Sequence, residues 1–147
     1  MSFVDAIIEI AAAFLGTFGF GILFNIRGKR LVWTSLGGLF AWAMFLVLGL
    51  VIEGEPIRYL IVSMFTTVYS EIMARKLKTP VTTACIITLI PLVPGGVLYN
   101  ATTAALSGDM ELFIPRLVNT AELAVAMSLG IVIVTAAFTH AFKRKHK

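Results

Sequence analysis

Two groups of residues in this chain have types and spacing suited to moving or binding a small charged species. The first is a pair of carboxylates, Glu71 and Glu122, each set inside a run of apolar residues. An ionisable group in such a place is costly, so by default it marks a proton or substrate pathway. Arg75 stands one helical turn beyond Glu71, which offers the plainer alternative of an interfacial Glu–Arg pair. Glu122 starts a spacing of four with Ala126 and Gly130, and positions so spaced share a helix face. Glu122 is therefore expected to point at a neighbouring helix rather than at lipid. The second group is the segment Pro91-Leu92-Val93-Pro94-Gly95-Gly96-Val97-Leu98-Tyr99-Asn100. Pro91 and Pro94 withhold backbone donors and clash with the preceding turn. Gly95 and Gly96 open backbone angles closed to other residues and let another group come close. A helix restarting near Val97 would offer unpaired N–H groups and the positive end of its dipole, an anion site built from backbone. Tyr99, Asn100, Thr102 and Thr103 would add polar side chains to it. A proline kink that only shapes the packing is the alternative.

The elements that would hold these residues follow from composition. Of 147 residues, 59% are apolar and 14% charged, and the mean hydropathy is +0.94. A soluble domain of this size has too little core for so much apolar surface, which makes the chain an all-α integral membrane protein. An apolar run of roughly 20 residues crosses the ~30 Å hydrocarbon layer. Five runs meet or approach that, at about residues 6–26, 31–52, 57–74, 81–106 and 117–142, the fourth broken at its Pro-x-x-Pro-Gly segment. Short connections make successive helices antiparallel neighbours in a single bundle over residues 1–147. The third span carries a stripe of Tyr59, Ser63, Thr67 and Glu71, and the first a stripe of Ala13, Thr17, Gly21 and Asn25. Small residues at this spacing form packing faces in lipid.

Charge in the connections predicts orientation. Arg27, Lys29 and Arg30, then Arg75, Lys76 and Lys78, then Lys143, Arg144, Lys145 and Lys147 fall on one side of a five-span layout. Asp5 and Glu9, then Glu53, Glu55 and Arg58, then Asp109, Glu111 and Arg116 fall on the other, where water at the interface would solvate them. Basic loops stay cytoplasmic, so the N-terminus is expected outside and the C-terminus inside. From the cytoplasmic end, ten to thirteen helical residues rise ~15–20 Å, which sets Pro91–Gly96 near the midplane. The net charge of +4 comes from these clusters; it is a topology signal and does not call for nucleic acid. Acidic residues near the start argue against a cleaved signal. Trp33 and Trp42 read as interfacial anchors. Cys85 is the single cysteine, and His140 and His146 have no ligand constellation, so neither a metal nor a cofactor is expected. With no nucleophile–base pair and no glycine-rich phosphate loop, an enzyme is not expected either.

The run Ile90–Tyr99 resembles the Pro-x-x-Pro-Gly-x-x-x-Tyr segment of the threonine/serine exporter family, in its small, C-terminal-type subunit. Gly19-Phe20-Gly21-Ile22-Leu23-Phe24-Asn25 and the basic turn after it are similar to that subunit's first helix, and the resemblance covers nearly the whole chain. It implies a secondary transporter of the bacterial cell membrane that exports small hydrophilic metabolites on an ion gradient, taken to be protons. It also implies the split, two-component type, whose larger subunit brings its own spans, so a hetero-complex is expected, with self-association open. Pro91, Pro94, Gly95 and Tyr99 carry over as family pattern. The substrate path is then expected along Pro91, Pro94, Gly95, Gly96, Tyr99 and Asn100, with Glu71 or Glu122 exchanging protons. Threonine/serine-type amino acids are the first expectation for cargo. A succinate-like dicarboxylate, or a non-transporting assembly role, is the alternative.

Overall fold

The computed structural model describes residues 3–143; His146 and the basic residues Arg144, Lys145 and Lys147 lie outside the described residues. The fold is all helical. Helix α1 spans Phe3–Leu23, α2 Lys29–Gly49, α3 Glu55–Leu77, α4 Val81–Leu89, α5 Gly95–Leu106 and α6 Met110–Lys143, with a 3-10 turn at Ile90–Leu92 between α4 and α5. No strand occurs among the described residues.

By length and composition, three described helices suffice to cross a membrane: α1, α2 and α6. The pair made by Val81–Leu92 and Gly95–Leu106 qualifies jointly but is bent by 61°, so the number rises to four if the pair is one span. Five were expected, and α3 makes the difference. It is long enough at 23 residues, but Ser63, Thr66, Thr67, Ser70 and Glu71 lower its hydropathy, and all of these are buried in the bundle. A helix sheathed by other helices has no need of an apolar surface all round.

Three helices, α1, α3 and α5, are followed by a residue in the left-handed region. Asn25 (φ 58°) lets the Ile26 N–H reach back to the Gly21 carbonyl at 2.9 Å, and Lys78 (φ 51°) lets the Thr79 N–H reach Ala74 at 2.9 Å. Gly108 (φ 73°) does the same for the Asp109 N–H and Ala104 at 3.1 Å. In each case the six-to-one bond satisfies a carbonyl of the last turn and reverses the chain. The first two reversals lie side by side: Asn25, Arg27 and Arg30 share a cleft of about 550 Å³ with Thr79, Pro80 and Thr83. The connections of the first two basic clusters thus meet at one end of the bundle.

α3 is central and packs against α2, α4 and α6, while α1 lies on α2 and α5 on α6. Two glycines set the closest approaches. A Cβ at Gly38 would overlap Thr17, and one at Gly130 would run into Ser63 Oγ and stand 2.7 Å from the Leu60 carbonyl. The apolar centre is Ala41, Tyr59, Val62, Leu92, Leu123 and Ala126. Buried hydroxyls return their protons to carbonyls of their own helix, Thr17 to Ala13, Ser35 to Leu31, Thr66 to Val62 and Thr67 to Ser63. No buried donor among these is left to bear the cost of an unmade bond.

Candidate functional site

The interruption between α4 and α5 is built by its prolines. Pro91 and Pro94 cannot donate, so α4 tightens into the 3-10 turn and the Val93 N–H bonds Ile90 at 3.1 Å. The chain then restarts with the Gly95 N–H on the Val93 carbonyl (2.6 Å) and the Leu98 N–H on Pro94 (3.0 Å). Among the described residues, no carbonyl takes the N–H groups of Gly96 and Val97. The backbone donors expected at this helix start are thereby narrowed to two named ones.

The two sides of the bend differ. Leu92 is fully buried in the apolar centre, and Val97 packs against the same cluster. Gly95, Gly96, Tyr99 and Asn100 lie on the exposed side, Tyr99 with 70% of its surface open. The Arg116 guanidinium of α6 donates to the Asn100 carbonyl at 3.0 Å and ties α5 to its neighbour. The polar residues of the bend therefore face away from this chain's own centre.

Sequence reasoning missed the partner of Glu9. Expected to be solvated at the outer interface, Glu9 is half-exposed and also accepts a hydrogen bond from the Trp42 indole N–H at 3.2 Å. Both residues line a shallow cavity of about 230 Å³ with Ala12, Ala13 and Pro91. Trp42, expected as an interfacial anchor, stacks on Phe45 with centroids 5.3 Å apart, and Phe45 meets Tyr59 edge-on at 5.0 Å. The signal was present: Glu9 is one turn before Ala13 and extends the stripe of Ala13, Thr17 and Gly21 up to the bend.

Glu71 is 5% exposed. Arg75 donates to its Oε2 through Nη2 at 2.9 Å and Nε at 3.3 Å, and the guanidinium sits over the Phe138 ring at 5.4 Å. Beside it, the Ser70 and Thr88 hydroxyls join α3 to α4 at 2.7 Å. The pair considered as the plainer alternative thus forms, with Glu71 buried and Arg75 exposed. Glu122 is exposed, in an apolar hollow with Pro56, Val118, Val125 and Leu129. Ala126 and Gly130 turn into α3, but Glu122 does not. A helix has 3.6 residues per turn, so positions four apart drift by ~40° each step, and two steps carry Glu122 off the packing line. The bend and Glu9 come together; among the described residues, no hydrogen bond or ion pair joins Glu71 or Glu122 to them.

Apolar helices of spanning length packed about α3, with a bent pair that leaves one polar side uncovered, define a multi-helix membrane protein. The family model described as "Threonine/Serine exporter, ThrE" matches residues 9–137, and the chain belongs to that family of membrane transporters, which is not an enzyme class. No curated protein and no solved structure matches it.

Proposed function

We propose that the chain is the small membrane subunit of a two-component, proton-coupled exporter of carboxylate-bearing metabolites, with threonine/serine-type amino acids as cargo. The observation that carries this reading is the bend of the α4–α5 pair, with Gly95, Gly96, Tyr99 and Asn100 on its open side. In this reading α3 is a fifth span, wrapped by α2, α4 and α6. The α4–α5 pair is one broken span with its bend near the midplane, as in transporters that bind cargo at discontinuous helices. The N-terminus is outside the bacterial cell membrane and the basic end cytoplasmic. The cargo carboxylate meets the Gly96 and Val97 N–H groups beside Tyr99 and Asn100, and a larger companion subunit covers the open side. Glu122, exposed among apolar residues, suits a position facing that companion; Glu71, already neutralised by Arg75, suits internal gating.

Reconstitution into proteoliposomes with and without the companion chain tests the proposal. Threonine or serine flux that depends on both chains and on a proton gradient is expected; no substrate-dependent flux with any companion overturns it. The assembly role is favoured by one observation, the burial of Leu92, which seals the bend against this chain's interior. Glu122→Gln separates the two: loss of export with assembly intact excludes the assembly role.

A further inference from the structure

We infer that Glu9 is an exchange point at which a proton and the ammonium group of the cargo compete, which selects amino acids over dicarboxylates. The inference deepens the proposed function and rests on it for the identity of the cargo.

α1 is long and apolar enough to span a membrane over Val4–Leu23, and Glu9, half-buried, lies in its second turn. A carboxylate on a spanning helix is stabilised when a cation or a proton neutralises it. Its partner here is neutral, because the Trp42 indole N–H donates to Oε2 without bringing charge. The elements packed on α1 are α2, α4 and the 3-10 turn. On α2 the charged residues are Lys29 and Arg30, and Arg30 is twelve residues, ~18 Å along the helix, from Trp42. α4 and the 3-10 turn carry none. On α1 itself Asp5 lies one turn outward, and the Arg58 guanidinium of α3 stands over Phe45, the ring that stacks on Trp42. Among the described residues no cation is bonded to Glu9 itself.

The cavity beside Glu9 is small, about 230 Å³, with Ala12 and Ala13 on one wall and Trp42 and Pro91 on others. Pro91 belongs to the bend, so a molecule held there by its ammonium group is next to the interrupted backbone. The step is a plain exchange. The carboxyl O–H of Glu9 releases its proton to water, and an N–H of the cargo's ammonium group takes its place on the carboxylate. On release of the cargo a proton returns. A single carboxylate that cannot hold both cations couples their movements. A dicarboxylate brings no cation to displace the proton.

Trp42 supplies a readout that does not depend on transport. The chain has two tryptophans, Trp33 and Trp42, so Trp33→Phe leaves the indole on Glu9 as the sole tryptophan, excited selectively over the tyrosines. In the full chain reconstituted in vesicles, emission is expected to titrate with pH. L-threonine should shift the midpoint downward by at least half a pH unit, succinate should not shift it, and Glu9→Gln should abolish the response. Flat emission, a titration that survives Glu9→Gln, or a midpoint indifferent to L-threonine overturns the inference. In the complex with its companion, Glu9→Gln is expected to lower threonine flux at least tenfold and to flatten its pH profile, with Glu9→Asp restoring part of both. An unchanged flux and profile overturn the inference. If the unmodified complex moves no threonine or serine, the proposed function fails, and the fluorescence result still decides the role of Glu9.

Discussion

Gly96→Ala isolates the backbone part of the proposed site. A Cβ built at Gly96 meets nothing within 4 Å, and Gly96 is not among the glycines with positive φ, so the folded chain accepts the methyl without strain. Replacing glycine where alanine fits stabilises a protein by about 0.4–1 kcal/mol, chiefly through the unfolded state. For a chain of this size that is a rise in Tm of ~1–4 °C. The cost falls on the cargo. A carboxylate bonded to the N–H groups of Gly96 and Val97 must approach to ~2.9 Å, and the added carbon crowds that approach. Losing one charge-assisted bond costs about 1.5–3 kcal/mol, which corresponds to roughly ten- to 150-fold in flux per cargo concentration. The assay is threonine counterflow in proteoliposomes, paired with a thermal melt and co-purification of the companion. Export falling at least tenfold, with Tm held or raised and assembly intact, is the expected result. Unchanged export in a stable, assembled protein would refute contact between cargo and the Gly96 backbone. A drop in Tm would refute the open geometry itself.

Other substitutions test the frame around the site. Gly130→Ala, in contrast to Gly96→Ala, drives a methyl into Ser63 Oγ and the Leu60 carbonyl; a loss of about 1–3 kcal/mol is expected from such overpacking, read as a lower Tm. Glu71→Gln removes the charge that Arg75 holds at 2.9 Å and should cost about 1–3 kcal/mol. A double-mutant cycle with Arg75→Ala should show the two changes to be strongly non-additive, and additive losses would argue that the pair contributes nothing as a pair. For orientation, a chain with Cys85→Ser and one introduced cysteine should react with a membrane-impermeant thiol reagent from the cytoplasmic side at position 78. At position 109 it should react from outside.

Much of this architecture was legible in the sequence because lipid leaves few options for backbone. The apolar runs marked the chain as all helical, and α4 and α5 part at Ile90–Pro94, within the run that Pro91, Pro94, Gly95 and Gly96 punctuate. Asn25 as a helix stop was present in the sequence too, as one of the few residues that tolerate a left-handed angle. What escaped was azimuth. A spacing of four says that residues lie roughly in line, not which neighbour they face. Glu122 therefore shared a stripe with Ala126 and Gly130 yet turned outward, whereas Tyr59, Ser63, Thr67 and Glu71 turned inward together. Glu9 escaped for a different reason: its hydrogen bond to Trp42 joins α1 to α2 across 33 positions of sequence.

The same geometry constrains where a path can run. Ala41, Tyr59, Val62, Leu92, Leu123 and Ala126 fill the centre of the chain, so no passage is available there without dismantling the core that holds the bend in place. The polar side of α5, the Glu9 cavity and the Glu122 hollow all open at the surface of the bundle. Polar groups on a membrane-exposed surface are costly, and backbone that leaves its helix is tolerated at membrane depth only where protein or enclosed water covers it. The uncovered N–H groups of Gly96 and Val97 therefore argue for a second surface laid against α5. In that arrangement the path forms between two chains, and each carries half of its wall. In the proposed function the bend offers backbone donors to a carboxylate and Glu9 offers a counter-charge to an ammonium group, so the two ends of an amino acid would be met by different elements of one chain.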